Sequence, residues 1–168
     1  MTIRQAVNAD IPRLVEIFNE ARDIMRSDGN LHQWPDSYPS VEALESDIAQ
    51  DAGYVIEDNG KAEGYFAFIH GIDTTYVNIY EGEWVDDTLP YAVIHRLAGT
   101  KSSHGIASYC FKWCWERVHN LRIDTHRDNR IMQHCILKAG FRYCGIIHLA
   151  NGEERMAYQK ISSALYCE

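Results

Sequence analysis

The order in which strand patterns and helix patterns follow one another constrains this fold more than any other feature of the sequence. Helical spacing of apolar residues predicts helices from residue 11 to a break at 28–30, and over 41–50, 106–119 and 130–139. Strand patterns lie between and around them, over 2–7, 53–57, 64–70, 75–84, 91–98, 121–125, 141–149 and 155–160. Helices interspersed among strands predict an α/β class, with a single-domain mixed, mostly antiparallel sheet flanked by helices.

The length and the charge of the chain exclude several classes of protein. Its 168 residues fit one domain, residues 1–168, and 16 Lys and Arg against 24 Asp and Glu leave a net charge of −8. So acidic a chain is poorly suited to bind nucleic acid or an anionic membrane, and it suits small cationic partners better. No apolar run approaches the roughly 20 residues that span a bilayer, and the polar start is unlike a signal peptide. We therefore expect a cytoplasmic protein whose five cysteines are reduced.

The segment 91–119 carries the first candidate site. Here a strand pattern runs through a loop of small residues, 99–105, into a helix pattern. Backbone N–H groups at such a helix start are unpaired, and the helix dipole favours negative charge there. Ser102 and Ser103 would let a phosphate approach the backbone, and Lys101 would add a positive charge. The same pattern is also common as a plain structural turn, and the GxxxxGK[ST] and GxGxxG motifs of nucleotide sites are absent.

A second stretch, 121–145, completes a characteristic order of strands, loops and helices. Asp128 and Asn129 can cap its helix, and Gly140-Phe141 turns the chain back into a strand. Together, "YAVIHRLAGTKSSHGIAS", "RIDTHRDNRIMQHCILKAGFRYCGI" and the opening "IRQAVNADIPRLVEIFNEAR" resemble the GNAT superfamily of acetyl-CoA-dependent N-acetyltransferases over nearly the whole chain. The resemblance implies the acyl-CoA N-acyltransferase fold of that family and direct attack of an amine on acetyl-CoA.

The resemblance also implies where acetyl-CoA binds. The pyrophosphate loop of the family has the pattern Q/R-x-x-G-x-G/A, which "SSHGIA" matches at its Gly and its Ala but not at its first position. The strand before this loop would pair its backbone with the pantetheine arm, and a backbone N–H there would polarise the thioester carbonyl. The cofactor-binding residues implied in this way are Leu97, Ala98, Lys101, Ser102, Ser103, His104, Gly105, Ile106, Ala107 and Asn129.

The groups that transfer protons are less clearly marked. The family often places a Tyr seven residues after the Asn to protonate the leaving thiolate, and that position here is Ile136. A thiol with a pKa near ~8.5 leaves as thiolate with modest help. The general acid is therefore unassigned, with three candidate substitutes: Tyr143, Tyr109 and Cys135. A general base must take a proton from the substrate ammonium. The candidates on or near strands, each with an ordinary structural interpretation as well, are Glu81, Glu83, His95 and Asp124.

Aromatic residues in irregular segments are candidates for the acceptor pocket, because aromatic faces suit cations and flat ligands. Packing of loops over the sheet is the alternative for these residues, which are Trp34, Tyr38, Tyr80 and Trp84. No metal site is expected, since Cys110 and Cys114 lack a second pair of ligands at metal spacing and fit core positions.

Taken together, these features favour an N-acetyltransferase that acts on the primary amine of a small molecule or peptide. The alternative is a non-catalytic module of the same fold that binds an acyl-CoA or a small metabolite. The acceptor, the acyl group and the oligomeric state stay open, although homodimers are common among the proteins that the chain resembles.

Overall fold

Within residues 1–163, which the computed structural model describes, seven strands form one sheet. The strands are β1 (Thr2–Gln5), β2 (Gly53–Asp58), β3 (Lys61–His70), β4 (Ala92–Gly99), β5 (Asn120–Thr125), β6 (Arg142–His148) and β7 (Glu154–Ile161). They lie in the order β1-β2-β3-β4-β5-β7-β6, and every neighbouring pair is antiparallel except β4 and β5. The predicted mixed, mostly antiparallel sheet is confirmed.

Helices cover both faces of this sheet. They are α1 (Ile11–Ser27), α2 (Val41–Ala49), α3 (Ile106–Trp115) and α4 (Arg130–Lys138). The neighbouring residues Tyr65 and Phe66 point to opposite faces, because successive side chains alternate along a strand. Tyr65 belongs to the core under α1 and α2, whereas Phe66 belongs to the core under α3 and α4. The two helix pairs therefore lie on opposite faces of the sheet.

The helix ends follow signals that the sequence carries. Ser40 and Asn129 each accept, through the side-chain oxygen, a hydrogen bond from the backbone N–H three residues later, at 3.2 and 3.0 Å. Gly140, with φ +88°, takes the left-handed conformation that follows the C-terminal end of α4. Asp10 precedes α1, but its carboxylate accepts from the Val7 N–H at 2.9 Å instead of capping that helix.

β4 and β5 separate soon after they begin. They pair only at Ala92 with Leu121 and at Val93 with Arg122. Beyond Val93, the backbone groups of β4 that point toward β5 have no strand partner there. The sheet therefore opens a wedge between its two halves, and this wedge defines the candidate site described below.

The start of α3 lies unusually close to the sheet. An added Cβ at Gly64 would come within 2.9 Å of the Ile106 side chain, and one at Gly99 within 3.1 Å. Both glycines thus let the first turn of α3 rest on the ends of β3 and β4. The loop between β4 and α3 is held at the mouth of the wedge by this contact.

The predicted strand over 75–84 is wrong. A 3-10 turn at Thr74–Tyr76 is followed by irregular chain that pairs with the sheet at one bridge, Tyr80 to Ile146. Two tight approaches between this loop and β6 shape its path. An added Cβ at Gly82 would lie 2.0 Å from the Cys144 carbonyl oxygen, and one at Gly145 would lie 2.6 Å from the Tyr80 carbonyl oxygen. Of the aromatic residues that produced the strand pattern, Tyr76 and Trp84 are buried by packing of the loop on the sheet, whereas Tyr80 is exposed.

The predicted helix over 106–119 is too long, since α3 ends at Trp115. Val118 and Arg117 close its last turn by donating to the Cys114 carbonyl at 3.0 and 3.1 Å, and Asn120 already begins β5. The apolar spacing continued past the helix because the connecting turn also packs on the core.

The described cysteines form no disulfide bond. The four cysteines among residues 1–163 are free thiols: Cys110, Cys114, Cys135 and Cys144. Cys167 and the rest of residues 164–168 of the predicted domain lie outside the described residues. In the described part of the chain, no helix combines the length and the apolar character that crossing a membrane requires.

Replacing Gly82 by Ala should destabilise the protein, because the added methyl group would collide with the backbone of β6. We expect a loss of about 1–3 kcal/mol in the free energy of unfolding. For a chain of this size the melting temperature should then fall by roughly 2–10 °C. The measurement is thermal unfolding followed by circular dichroism. Glu83→Ala, an exposed change in the same loop, is the control and should leave the melting temperature unchanged within about 1–2 °C.

Candidate active site

A cavity of about 700 Å³ occupies the wedge between β4 and β5 and extends under α1. The end of β4 and the end of β5 form its floor, and the start of α4 closes one side. The segment 28–38 after α1 and the hairpin between β6 and β7 form the opposite wall. The cavity is therefore large enough for two small reacting groups to meet where the two halves of the sheet part.

A β-bulge shapes the floor of the cavity. Tyr65 of β3 faces Ala98 and Ala67 faces His95, so Arg96 and Leu97 together oppose one residue of β3. Arg96 adopts the left-handed conformation, with φ +54°. The extra residue places the consecutive side chains of His95 and Arg96 on the same face of the sheet, toward α1 and α2.

A buried polar network holds the bulge in this conformation. The Arg96 guanidinium donates through Nε to Asp47 Oδ2 at 2.8 Å and through Nη2 to Asp47 Oδ1. The Tyr65 hydroxyl donates to the same carboxylate at 2.8 Å. Burial lowers the pKa of Arg96, but the hydrogen bonds and the charge of Asp47 outweigh it and raise that pKa. Arg96 also donates to the Tyr38 hydroxyl at 3.3 Å, which links the bulge to the cavity wall.

His95 faces the cavity with a carboxylate behind it. Its Nε2 lies 2.7 Å from Asp73 Oδ2, and among residues 1–163 its Nδ1 has no hydrogen-bond partner. Burial raises the pKa of Asp73, but hydrogen bonds from His95 and Thr75 outweigh it and hold that pKa at about 2. Asp73 is therefore ionised at neutral pH and favours the tautomer in which Nε2 carries the proton. That tautomer leaves Nδ1 free to accept a proton from the cavity.

Asp124 lies across the wedge, on β5, and also lines the cavity. Its Oδ1 accepts a hydrogen bond from the Tyr76 hydroxyl. Burial, followed by the nearby Asp124 carboxylate, raises the pKa of Tyr76 well above its ordinary value. The phenol therefore stays protonated and fixes the position of Asp124. Tyr76 also meets the His95 ring edge-on at 5.8 Å between centroids, so it supports both groups.

The loop before α3 presents donors toward the mouth of the wedge. Gly105, with φ +81°, is the N-cap of α3 and leaves the first N–H groups of the helix without a side-chain cap. The Ser103 hydroxyl is buried and has no partner among the described residues. Glu63 shapes the loop from β3, since its carboxylate accepts from Thr100 and from Ser102 at 3.0 Å. These residues fit a phosphate-bearing ligand, which would supply acceptors to the Ser103 hydroxyl and the helix N–H groups.

A polar cluster closes the opposite end of the cavity. Gln33 Oε1 accepts from Asn129 Nδ2 and from Asn30 Nδ2, each at 2.8 Å. The Gln33 carbonyl accepts from Arg155 at 3.2 Å. Because the Asn129 oxygen caps α4, both ends of that side chain are engaged within the protein. This cluster ties the segment after α1 to the start of α4 and to β7.

Comparison with solved structures gives the family of this fold. A crystal structure of a GNAT-family acetyltransferase from Streptococcus agalactiae shares 33% sequence identity, with a TM-score of 0.87, over 96% of this chain and 95% of that one. The chain belongs to the GNAT family of acetyltransferases. A GNAT-family acetyltransferase from Listeria monocytogenes has the same fold at 19% identity, with a TM-score of 0.65 over 95% and 93% of the two chains.

A more distant member of the same fold has been solved with ligands. The aminoglycoside acetyltransferase AAC(6')-Ib, in complex with paromomycin and acetyl-CoA, shares 20% identity and a TM-score of 0.66 over 99% of this chain and 96% of that one. No protein-family model matches the sequence, and no curated protein matches it.

Seven of the residues singled out from the sequence line the cavity of this GNAT chain. His95 and Asp124 lie on opposite strands of the wedge, and Trp34 and Tyr38 lie on the wall formed after α1. Leu97, Ala98 and Asn129 also line the cavity. The residues of the predicted phosphate loop, Lys101 to Ala107, lie in the loop and in the first turn of α3.

The other acceptor-pocket and base candidates lie away from this cavity. Trp84 is only 6% exposed, stacks on Tyr76 and carries the Arg122 guanidinium on its ring, so it belongs to the core. Tyr80 stacks on His148 at the outer edge of β6. Glu81 and Glu83 are exposed in the same loop and do not line the cavity. In the sequence, Trp84 and Tyr80 look the same as the cavity residues Trp34 and Tyr38. All four are aromatic residues in irregular segments, so this pattern alone does not show which of them line the cavity.

At the position where the family often has a tyrosine, this chain has Ile136, which lies in the hydrophobic core. Ile136 is fully buried on α4 and packs with the residues under α3. The candidate substitutes do not line the cavity: Tyr143 is exposed on β6, and the Tyr109 hydroxyl donates to the Met1 carbonyl at 2.7 Å. Cys135 is half-buried on α4, and burial raises the pKa of its thiol. None of these residues is positioned to protonate a group in the wedge.

Sequence reasoning missed Asp73, Asp47 and Gln33. Asp73 lies 22 positions before His95 and Asp47 lies 49 before Arg96, so no local spacing connects them. The Asp-x-Thr pattern at Asp73 was the one available signal, since it predicts the turn that holds this carboxylate by a 2.9 Å bond from the Thr75 N–H.

Replacing Asp73 by Asn tests the electrostatics of this pair. The pKa of Asp73 is lowered in the folded protein, so the ionised carboxylate stabilises the fold above about pH 4, and this contribution disappears as the pH falls through about 2. With a discount for solvent screening, Asp73→Asn should cost about 1–2 kcal/mol at pH 7 and roughly half of that at pH 3. Urea unfolding at both pH values measures the difference. Asp23→Asn, an exposed change on α1, is the control, and an equal cost at both pH values for Asp73→Asn would contradict the assignment.

Proposed function

We propose that this GNAT protein transfers the acetyl group of acetyl-CoA to the primary amine of a small molecule. The observation that supports this most is the placement of His95, with Asp73 behind it, on the wall of a cavity that continues into the wedge between β4 and β5. The likeness to AAC(6')-Ib, which was solved with acetyl-CoA, supports the choice of acyl donor. When bound, acetyl-CoA would supply the thioester whose carbonyl carbon the amine attacks.

Three segments of this chain would bind different parts of acetyl-CoA. The N–H groups at the start of α3 and the Ser103 hydroxyl would hold the pyrophosphate. Backbone groups of β4 beyond Val93 would pair with the pantetheine arm as an added strand. An N–H of Leu97 or Ala98 beside the bulge would donate to the thioester carbonyl oxygen and stabilise the negative charge that forms there.

His95 would serve as the general base. Its Nδ1 accepts a proton from the substrate ammonium, while Asp73 holds Nε2–H and stabilises the imidazolium that results. The free amine then forms the C–N bond as the C–S bond breaks, and the sulfur leaves as thiolate. The nitrogen then loses its second proton, and the thiolate takes up one proton, so that the products are the neutral amide and the free thiol. A thiol with a pKa near ~8.5 needs no strong general acid, which agrees with an isoleucine at position 136.

Binding of acetyl-CoA should raise the melting temperature. A ligand at 100-fold over its dissociation constant stabilises the fold by roughly 2.7 kcal/mol, which corresponds to about 5–10 °C here. Coenzyme A should give a similar shift, and ATP should give none. The absence of a shift at millimolar acetyl-CoA would remove the basis for the transferase. A shift without thiol release from any amine in a broad panel would instead support the non-catalytic binding module.

Replacing His95 by Gln should lower kcat by about 100-fold or more, because general base catalysis contributes that much. Thiol release from acetyl-CoA in the presence of an accepted amine measures the rate. The thermal shift with acetyl-CoA should stay unchanged, since His95 is proposed to act on the amine. His134→Gln makes the same chemical change at an exposed position of α4 and should keep the rate of the unsubstituted protein. Equal rates for the two variants would eliminate His95 as the base.

A further inference from the structure

The C-terminal end of α1 contributes a second group of acceptor atoms to the cavity. Asp28, directly after α1, and Asn30 both line the cavity, at the wall that faces the wedge. Among residues 1–163, the Asp28 carboxylate has no hydrogen bond and no ion pair. The negative end of the dipole of α1 lies at the same place. Both features favour a cation at this wall.

Asn30 carries an independent sign of a missing donor. This residue is only 3% exposed, and its Oδ1 has no hydrogen-bond partner among the described residues. Its Nδ2 donates to Gln33 Oε1, which also accepts from Asn129, so the amide oxygen of Asn30 is the atom that is left over. A buried acceptor without a donor destabilises the fold. A ligand with an N–H group at this position would remove that destabilisation.

The remaining charges of the cavity wall also favour a cationic ligand. Its two arginines are already neutralised, Arg96 by Asp47 and Arg155 by Glu153 at 2.9 Å. The carboxylates that line it without a Lys or Arg partner in residues 1–163 are Asp28, Asp73 and Asp124. An acceptor with a carboxylate of its own would meet no free cation here. An acceptor with two cationic nitrogens would meet a carboxylate at each end.

We propose that the acceptor is a diamine or longer polyamine, whose reacting nitrogen lies at His95 and whose second, protonated nitrogen is held by Asp28 and Asn30. This inference rests on the proposed acetyl transfer and adds the substrate class. The second ammonium would donate to the Asp28 carboxylate and to Asn30 Oδ1. The aromatic faces of Trp34 and Tyr38 on the same wall suit the chain between the two nitrogens and the cation that it carries.

Three probes of equal chain length test the proposal. They are diaminobutane, butylamine and aminobutanoate, which carry a second ammonium, a methyl group or a carboxylate at the far end. We measure kcat/KM for each by thiol release from acetyl-CoA. A charge-assisted hydrogen bond is equivalent to roughly tenfold in affinity. Diaminobutane should therefore exceed butylamine by about tenfold, and aminobutanoate should be the poorest of the three. The same measurement on diamines with three to six carbons then shows which distance between the two nitrogens gives the highest kcat/KM.

Asp28→Asn should remove most of this preference. When both amines are measured on this variant, kcat/KM for diaminobutane should lie within about twofold of that for butylamine. Asp23→Asn removes the same charge from an exposed position of α1 outside the cavity and should keep the full preference. The preference of the unsubstituted protein should also shrink as ionic strength rises, because the Asp28 side chain is exposed to solvent.

The outcomes separate the two proposals. Turnover of butylamine at the same kcat/KM as diaminobutane, or the same loss of preference in both variants, would overturn the diamine assignment and leave the acetyltransferase intact. Failure of all three probes to release thiol, together with no thermal shift on addition of acetyl-CoA, would overturn the acetyl transfer itself and the diamine assignment with it.

Discussion

The buried ion pair between Arg96 and Asp47 is the contact on which the arrangement of the cavity depends. A non-glycine residue in the left-handed conformation costs roughly 1–2 kcal/mol, and the two hydrogen bonds to Asp47 offset this cost at Arg96. The bulge that results places the Arg96 side chain on the same face of the sheet as His95, and the pairing of β4 with β3 resumes beyond it at Ala98. Loss of either partner would leave a buried charge unpaired, at a cost of about 3–5 kcal/mol. The bulge and the cavity wall at Tyr38 therefore share one support, which Asp47 of α2 supplies.

The two sides of the cavity present different chemical groups, main-chain groups on one side and polar side chains on the other. On the side of α3, backbone N–H groups, small residues and the close contact of Gly64 and Gly99 with Ile106 form the surface. Such a surface recognises a phosphate chain through the main chain, which many sequences can provide. On the side of α1, individual side chains with buried or uncompensated polar atoms form the surface. The likeness to other GNAT structures therefore bears on the first side, whereas Asp28 and Asn30 of this chain bear on the acceptor.

Local patterns predicted the parts of this protein that depend on neighbouring residues in the chain. The caps at Ser40 and Asn129 and the exit at Gly140 follow from side-chain and backbone preferences over a few residues. The prediction failed over 75–84, where burial comes from a loop that packs on β6 and not from a strand. It also nominated Trp84 for the acceptor pocket, because a buried aromatic residue in irregular chain has the same local pattern whether it lines a cavity or fills a core.

The sequence by itself determined the α/β class, the order of the elements, the family likeness and His95 as one of several candidate bases. Only the tertiary structure shows that His95 and Asp124 line the cavity whereas Glu81 and Glu83 do not, and that Asp73 comes to His95 from 22 positions away and Asp47 to Arg96 from 49. It also decided that Trp34 and Tyr38 face the cavity and that the Asn30 oxygen is left without a donor. The physical reason is that periodicity and capping report interactions within one element. The position of a proton, a charge or an unpaired oxygen depends on side chains that only the closing of the sheet brings together.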